Sequence, residues 1–334
     1  MTRAFATLGA GWAAAVLLLS LVNAALPQRD GPLALSQILA PFLFLPLVPF
    51  AVLRRTVGNP GRALRLGLAA SAVVFAVRFI PGSIAIPPTP TAGAMELGVT
   101  TWNLELGLAD PDVVIATLRD APQGIVALQE VTERHADPIA ADSVILARFP
   151  YQKLSRSGGS QGIGLLSSYP FVGDPIVDSH PRTVLAQLDL GGGRIVTVLA
   201  AHPLPADIAQ PGWLRIPLGY NAASRDHEIG VVRARLAPSL ASGGPVVLLG
   251  DFNVVDREPG YADLTAGLID AQRAVGLGPG LTWRPPELEW LPFGLLRIDM
   301  VLTAGAARPL SIEPDCTPRG SDHCILYATI EVRS

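Results

Sequence analysis

The chain has only two cysteines, no internal repeat, and no excess of basic residues in its larger part. Cys316 and Cys324 match no pattern typical of a nucleophile or a zinc ligand, so thiol and zinc chemistry find no support. The lack of repeats argues against a repeat protein. Apolar sequence is abundant, since 49% of the 334 residues are hydrophobic and the mean hydropathy is +0.39. These values are too high for a purely soluble domain and too low for a protein embedded throughout in a membrane.

The spacing of the two cysteines leaves two possibilities open. Outside the reducing cytoplasm, Cys316 and Cys324 are close enough in sequence for a disulfide between a loop and the strand that follows. Alternatively, Cys324 is a small buried hydrophobe in that strand. The sequence does not decide between them.

Charge is divided unevenly along the chain. Residues 1–96 have a net charge of +5, and residues 97–334 have a net charge of −8. A protein that grips a nucleic-acid backbone usually has a basic excess, because each neutralised phosphate releases counterions. The charge therefore weighs against a general DNA-binding protein, although it does not exclude a small phosphate substrate.

The apolar excess lies at the N-terminus. Residues 8–26, 33–53 and 63–80 are each close to the roughly 20 residues that a helix needs to cross a bilayer. We therefore expect three transmembrane helices in residues 1–80. The first run could instead be a signal peptide, but it exceeds the apolar core of such peptides and two further runs follow it.

The arginines predict an orientation for these helices. Residues 54–65 contain four arginines, whereas the link between the first two apolar runs contains only Arg29, beside Asp30. The positive-inside rule places residues 54–65 in the cytoplasm. The sequence thus predicts a multi-pass protein of the cell membrane with a cytoplasmic N-terminus and an extracytoplasmic C-terminal domain.

A linker and one globular domain follow the apolar region. Residues 81–96 are rich in proline, glycine and small residues, which is typical of a semi-rigid linker. In residues 97–334, apolar runs alternate with helical patterns. Strands are expected at 97–102, 125–128, 162–167, 183–188, 194–200, 246–249, 298–302 and 324–332, and helices at 111–119, 131–141 and 224–240. This mixture favours an α/β sandwich over a doubly wound sheet.

Six short segments end an apolar run in a carboxylate, amide or imidazole side chain. Because apolar strands form the core of a sheet, polar residues that follow them are expected together at one rim. The segments are Trp102-Asn103-Leu104-Glu105, Leu128-Gln129-Glu130, Ala201-His202-Pro203, Gly250-Asp251-Phe252-Asn253, Arg297-Ile298-Asp299 and Gly320-Ser321-Asp322-His323.

In this order, the six segments resemble the motifs of the endonuclease/exonuclease/phosphatase superfamily, whose fold is that of DNase I. The resemblance covers nearly all of residues 97–334, and the N-terminal helices resemble those of bacterial membrane-anchored members. It implies a four-layer α/β sandwich of two mixed β-sheets flanked by helices, preceded here by three transmembrane helices. It also implies a phosphoester hydrolase that depends on a divalent metal ion.

The resemblance implies a metal site. Glu130 matches the magnesium-binding glutamate of the superfamily, and Asn103 and Glu105 match positions that complete or support the metal shell. Asp322 matches a second carboxylate near the metal. Oxygen ligands suit Mg²⁺ or Mn²⁺, and we expect one ion. Many relatives have aspartate where this chain has Glu105, whose side chain is longer by one methylene group.

The resemblance also implies catalytic roles. His323 matches the histidine that acts as general base or contacts the scissile phosphate, and Asp299 holds its other ring nitrogen. Asp251 orients or deprotonates the attacking water, and Asn253 donates to a phosphate oxygen. His202 donates to the developing charge. These roles imply in-line attack of water with no covalent intermediate on the enzyme.

The sequence restricts the substrate less closely. Two apolar loops adjoin the motifs, and they suggest that Trp213 and Trp290 admit a lipid-linked or otherwise apolar phosphoester from the membrane. Packing of these loops over the sandwich is the alternative. The motifs also fit an extracytoplasmic nuclease, which the charge does not favour. A third interpretation is a catalytically inactive, membrane-tethered binding protein. The sequence says nothing about oligomeric state.

Overall fold

The structure is a computed structural model that describes residues 2–53, 61–80, 85–156, 159–209 and 219–333. Trp213 lies outside the described residues, as do Arg54 and Arg55 and the first part of the expected linker. The chain divides into two units. The helical unit comprises Met1–Gly82, Ala206–Ala223 and Arg257–Gly260, and the sandwich unit comprises Ser83–Pro205, Ser224–Asp256 and Tyr261–Ser334.

The helical unit contains one long apolar helix, α1, and several further elements. Its elements are α1 (Thr2–Ala25), α2 (Gly31–Ile38), a short 3-10 helix (Phe42–Phe44), α3 (Leu47–Leu53), α4 (Gly61–Phe79), and the paired strands β8 (Asp207–Ala209) and β9 (Gly219–Asn221). Arg257 joins a later segment to this unit, because its Nε and Nη2 donate to the carbonyls of Gln37 (3.1 Å) and Ile38 (2.9 Å). A guanidinium at the C-terminal end of α2 complements the partial negative charge of the helix terminus.

The prediction of three transmembrane helices is wrong for the described residues. Among them, only α1 is by itself long and apolar enough to cross a membrane, and α2 with Phe42–Leu53 would add a second span only across a bend of 82°. Prolines at 41 and 46 lack the amide hydrogen that a continuous helix needs. Helix α4 has three arginines within 19 residues. By length and composition, α1 remains a candidate for a membrane anchor or a signal sequence. The multi-pass orientation therefore loses its basis.

The sandwich unit is built on two six-stranded mixed sheets. Sheet 1 has the order β13-β14-β1-β2-β4-β3, and sheet 2 has the order β11-β12-β10-β7-β6-β5. The strands are β1 (Met95–Asn103), β2 (Gly124–Gln129), β3 (Tyr151–Ser155), β4 (Ile163–Ser167), β5 (Ile176–Ser179), β6 (Arg182–Asp189), β7 (Ile195–His202), β10 (Val246–Asp251), β11 (Ile269–Asp270), β12 (Asp299–Ala304), β13 (Ala307–Asp315) and β14 (Ile325–Val332).

Alternation along the strands explains why the two sheets pack on each other. In β1, Leu97 and Val99 lie in a core shared with Val198 of β7 and Val247 and Leu249 of β10. Trp102 of β1 belongs instead to the core on the other face of sheet 1. Strands that are buried on both faces consist of nearly continuous apolar runs. The central strands β2 and β10 are such runs, with all six residues of each buried.

Helices cover the outer faces of both sheets and complete four layers. Helix α5 covers sheet 1 together with α6 and α7, and α8 covers sheet 2. The helices of the sandwich are α5 (Pro111–Asp120), α6 (Glu133–Ala141), α7 (Ser143–Arg148), α8 (Ala223–Ser242), α9 (Pro259–Thr265) and α10 (Ala271–Val275). Asp110 caps α5 by accepting a hydrogen bond from the amide of Asp112. Proline at the first helical position also suits this helix start.

A disulfide bond joins Cys316 and Cys324, eight residues apart. It closes the loop between β13 and β14, and this loop contains Ser321, Asp322 and His323. Closing a loop covalently reduces the freedom of its unfolded state. Of the two possibilities left open by the sequence, the disulfide is the one found.

Gly250 provides a test of the close contact between β7 and β10. Its φ is +144°, and a Cβ there would lie 1.9 Å from the carbonyl oxygen of Ala201. We expect Gly250→Ala to lower the free energy of unfolding by roughly 3 kcal/mol or more, because backbone strain and a backbone clash add. Urea denaturation followed by circular dichroism measures this change.

Gly230 is the matched control for this substitution. It lies on the exposed side of α8, and a Cβ there would meet nothing within 4 Å. Gly230→Ala is expected to stabilise the protein by about 0.5–1 kcal/mol through helix propensity. Equal stability of the Gly250→Ala variant and the unsubstituted protein would contradict the account of this contact.

Candidate active site

The site lies where the central strands of both sheets end. Strands β1 and β2 are parallel neighbours in sheet 1, and β7 and β10 are parallel neighbours in sheet 2. Parallel neighbours end at the same edge of a sheet, so the residues that follow them lie close together. Strand β1 ends at Asn103 and Glu130 follows β2, while β7 ends at His202 and β10 at Asp251. Each sheet thus contributes one pair of the expected site residues.

The backbone at these strand ends adopts an uncommon conformation. Among the described residues, the four non-glycine residues with a positive φ are Glu105 (47°), Leu106 (52°), Glu130 (58°) and Asn253 (52°). This region of backbone space costs such residues on the order of 1–3 kcal/mol, and it is found most often at functional sites. All four belong to the motif segments or directly follow one.

The amide of Asn103 links carboxylates from the two sheets. Its Nδ2 donates to Oε1 of Glu130 (3.2 Å) and to Oδ2 of Asp251 (3.0 Å). Its Oδ1 accepts from the backbone amide of Glu105 (2.9 Å). The ring of His202 lies beside the same two acids, with Nε2 3.6 Å from Glu130 Oε1 and 3.4 Å from Asp251 Oδ2.

Hydrogen bonds fasten the turn that carries Asp322 and His323. The hydroxyl of Ser321 donates to the carbonyl of Asn103 (2.7 Å) and accepts from the amide of His323 (3.1 Å). The amide of Asp322 donates to Oε2 of Glu105 (2.8 Å). Ser321 therefore has the turn-forming role that the sequence favours, and Glu105 holds the neighbouring acid through its backbone.

His323 is surrounded by carboxylates. Its Nδ1 lies 2.9 Å from Oδ2 of Asp299, and its Nε2 lies 3.8 Å from Oδ2 of Asp251 and 3.7 Å from Oδ1 of Asp322. Burial alone would lower the pKa of this imidazole, but the negative charges of the three acids outweigh burial and raise the pKa to about 10. In this arrangement, the ring is protonated at neutral pH.

Asp251 carries the complementary charge. Burial would raise the pKa of its carboxyl, but the positive charge of His323 and the hydrogen bond with His202 outweigh burial and lower the pKa to about 2. The backbone amide of Asn253 also donates to its Oδ1 (2.9 Å). Asp251 is therefore ionised throughout the physiological pH range.

The remaining acids indicate an excess of negative charge. Burial, and after it the nearby charge of Asp322, raises the pKa of Glu105 to about 7. Burial also raises the pKa of Asp322, whose Oδ1 has no hydrogen-bond partner in the described protein. A divalent cation among these oxygens would offset the repulsion. The donors are carboxylates and one amide, which is the set that Mg²⁺ and Mn²⁺ prefer, so the residues fit such an ion.

A different combination of ligand atoms also lies close together. Atoms of Asp251, Asp299 and His323 are all within 4.8 Å of one another. The hydrogen bond between His323 Nδ1 and Asp299 Oδ2 accounts for much of this proximity. The sequence instead predicts an ion held by Asn103, Glu105, Glu130 and Asp322.

The side chains of two expected residues have different surroundings. The Nδ2 of Asn253 donates to the carbonyl of Pro203 (3.1 Å), in the loop after His202. Trp290 is 69% exposed on a loop before β12. Trp213 lies outside the described residues. The other eight candidates form the connected cluster described above.

Sequence reasoning overlooks two further side chains that belong to this region. The indole Nε1 of Trp283 donates to Oδ2 of Asp322 (2.8 Å). Arg182 begins β6 and is the cross-strand partner of His202. Its signal in the sequence is a charged residue directly before an apolar strand, in the same way that the motif residues follow their strands.

The family can be assigned at this point. The model of the Endonuclease/Exonuclease/phosphatase family matches residues 100–323, and the chain belongs to this family. The match spans all the motif segments and confirms the expected superfamily. No curated protein matches the sequence.

Solved structures with the same fold include enzymes of different kinds. TDP2 of Caenorhabditis elegans is 20% identical, with a TM-score of 0.52 over 71% of this chain and 98% of that chain. Sphingomyelinase C from Streptomyces griseocarneus is also 20% identical, with a TM-score of 0.51 over 72% of this chain and 100% of that chain. At this level of identity, the likeness shows the fold of two mixed sheets flanked by helices.

The pKa of Glu105 predicts how metal binding depends on pH. Below about pH 7 its carboxyl is protonated, so a cation must displace a proton to bind, and above pH 7 it need not. We expect the stabilisation of the protein by Mg²⁺ or Mn²⁺ to increase as the pH rises through 7 and then to level off. Differential scanning calorimetry from pH 5.5 to 8.5 measures this dependence.

Glu105→Gln is the matched variant, because it removes the titrating group and keeps a similar shape. Its stabilisation by metal should vary little near pH 7. A metal concentration of 100 times Kd should contribute about 2.7 kcal/mol in the unsubstituted protein at pH 8. Metal stabilisation that is flat across this pH range in both proteins would contradict the assignment of Glu105.

Proposed function

We propose that the chain is a divalent-metal-dependent phosphoester hydrolase in which water attacks phosphorus in line. The proposal rests on one observation above all, the convergence of Asn103, His202 and His323 on the carboxylate of Asp251. Family membership supports phosphoester hydrolysis in general. Residues 97–334 are proposed as the catalytic domain, residues 81–96 as its linker and residues 1–80 as the N-terminal apolar region.

The proposed roles of the side chains follow from their charges. Asp251, whose pKa is about 2, is the ionised acceptor that orients the attacking water. His323 is held by Asp299 and protonated, and it donates from Nε2 to a phosphoryl oxygen. His202 is a second donor toward the charge that develops on the phosphoryl group. Preorganised donors of this kind stabilise the transition state without reorganising during the reaction. Asn253 is proposed as a further donor to a phosphate oxygen.

Asn103, Glu105, Glu130 and Asp322 are proposed to hold one Mg²⁺ or Mn²⁺ ion. When bound, the ion supplies positive charge to the phosphoryl oxygens of the substrate. Glu105 and Asp322 support this assignment, because burial and, after it, neighbouring carboxylates raise the pKa of both groups, and a cation would offset both effects.

We propose that the substrate is a phosphoester on a lipid head group or a small phosphoester, outside the cytoplasm. The net charge of −8 over residues 97–334 disfavours long nucleic acids. Trp290 and Phe293 are 69% and 52% exposed, and both lie on the loop before β12. Exposed aromatic side chains suit an interfacial substrate. Trp213 is proposed as a second such residue.

We propose that α1 anchors the protein and that the catalytic domain lies outside the cytoplasm. The apolar helix supports an anchor, and the disulfide between Cys316 and Cys324 supports an oxidising compartment. A single crossing with the basic Arg3 inside is consistent with both features.

A substrate panel tests the reaction and the substrate class together. We expect hydrolysis that requires Mg²⁺ or Mn²⁺ and stops in EDTA, with higher kcat/KM for phosphoinositide or sphingomyelin vesicles than for bis-p-nitrophenyl phosphate. Plasmid DNA cleaved faster than the vesicles would instead favour a nuclease. Replacing Trp290 by alanine should reduce turnover of vesicles more than turnover of the soluble ester.

His323→Gln should lower kcat by roughly 10²–10⁴-fold, because a positioned donor is lost from the transition state. His227→Gln is the matched control, since this histidine is exposed on α8, and its kcat should be unchanged. Equal activity of the two folded variants would refute the role of His323. A protein inactive on every substrate, although folded and able to bind Mn²⁺, would favour the inactive binding protein instead.

The fate of α1 distinguishes an anchor from a cleaved signal sequence. We expect the mature protein to keep its N-terminus, to stay in the membrane pellet after carbonate extraction, and to contain no free thiol before reduction. N-terminal sequencing and thiol labelling of the purified protein measure these properties. A mature N-terminus just after Ala25 would show that α1 is a signal sequence, and two free thiols would argue against an oxidising compartment.

A further inference from the structure

Arg182 is a buried cation at the edge of sheet 2 where the site lies. It is 3% exposed and begins β6, directly opposite His202 in the antiparallel pairing with β7. Arginine is rarely buried so completely unless other groups hold its charge. The question is what this side chain supports.

One contact of Arg182 leads to Glu130. Its Nη1 donates to the carbonyl of Ser160 (2.9 Å), two residues before Gly162. The carbonyl of Gly162 accepts from the amide of Val131 (3.1 Å), which directly follows Glu130. Arg182 therefore braces the segment that fixes the backbone on one side of Glu130.

The segment around Gly162 packs closely against the backbone of Val131. A Cβ on Gly162 would lie 1.7 Å from the carbonyl oxygen of Val131. Glu130 itself has a φ of +58°, which persists only where surrounding contacts over-determine it. A small displacement of residues 160–162 would thus be passed directly to Glu130.

Nearby acidic residues favour the charged form of Arg182. Burial lowers the pKa of its guanidinium, and the negative charges of Glu228, Glu130 and Asp251 oppose that effect. Glu228 is buried on α8, and its Oε2 accepts from the amide of Leu204, in the loop that follows His202. The Nη2 of Arg182 has no hydrogen-bond partner in the described protein. A donor buried in this way costs about 1–3 kcal/mol, so packing alone does not account for the residue.

We propose that Arg182 is a positioning residue for the site, holding Glu130 through the Ser160–Gly162 segment. The proposal rests on the proposed function. It adds a second layer to the set of residues that the motifs define. Groups that orient metal ligands in other proteins commonly change metal affinity or activity by about 10- to 100-fold when they are replaced.

The test compares two replacements of Arg182 in the full-length protein. Arg182→Gln removes the guanidinium that donates to the Ser160 carbonyl, so Glu130 loses this support, and it should weaken Mn²⁺ binding by about 10- to 100-fold and lower kcat by a similar factor. Arg182→Lys keeps a donor of similar reach but loses the forked geometry of the guanidinium, so it should retain more Mn²⁺ affinity than the glutamine variant. Titration of Mn²⁺ by electron paramagnetic resonance measures the affinity without any substrate.

Arg235→Gln is the matched control. The guanidinium of Arg235 contacts Asp178 (2.9 Å) and both residues that flank Arg182, Pro181 and Thr183, whereas Arg182 itself is the donor to the Ser160 carbonyl. Removal of the Arg235 guanidinium should leave Mn²⁺ affinity and kcat unchanged. If Arg182→Gln does not fold, the lysine variant and the control still decide. Mn²⁺ affinity and kcat in folded Arg182→Gln or Arg182→Lys that equal those of the control would overturn the proposal.

The Mn²⁺ titration also separates this proposal from the proposed function. If the protein hydrolyses no substrate in the panel but loses Mn²⁺ affinity when Arg182 is replaced, the positioning role of Arg182 is supported and the hydrolase function is contradicted. If the protein is a hydrolase whose Mn²⁺ affinity and kcat do not change after the replacement, the proposed function is supported and the role of Arg182 is contradicted.

Discussion

Repulsion among five carboxylates is the constraint that the rest of the site satisfies. Glu105, Glu130, Asp251, Asp299 and Asp322 lie in one connected cluster. Two like charges 4 Å apart repel by about 4 kcal/mol at the effective dielectric constant typical near a protein surface. Folding therefore has to place positive charge or hydrogen-bond donors against every acid. The protonated imidazole of His323 contributes to this balance, and so do the Asn103 amide and the backbone amides at the turns.

The five carboxylates are not compensated equally by positive charge and hydrogen-bond donors. Asp251 and His323 stabilise each other's charged forms, so their pKa values move apart to about 2 and about 10. Glu105 has no such partner, and its pKa rises to about 7. A site built only for stability would not leave buried acid uncompensated. The uncompensated part coincides with the residues that motif reasoning assigns to a metal ion.

The sequence predicts which residues at the strand ends lie together, because its signal is local. Each motif begins with an apolar strand, and polar residues at strand ends such as Asn103 and Asp251 gather at one edge once the sheets form. Short or half-exposed strands such as β3 and β5 have no such signal, and β13 was not expected. Contacts across the fold are also invisible in the sequence. The Asn253 amide has a partner in the loop after His202, and the burial of Arg182 depends on segments far from it in sequence. In the apolar region, mean hydropathy alone overstated the number of spans, because the prolines and arginines decide whether a run forms a straight apolar helix.

The proposed catalytic groups are divided between two sheets that are joined across one apolar layer. Asn103 and Glu130 belong to the edge of one sheet, and His202 and Asp251 belong to the edge of the other. Side chains such as Val99 and Val247 in the layer between them set the separation of the two edges. The two sheet edges thus hold the polar side chains, and the apolar layer between the sheets fixes the distance between them. A methyl group gained or lost in this apolar layer should therefore change the spacing of the two sheet edges. The proposed site would then be misaligned by substitutions too mild to unfold the protein.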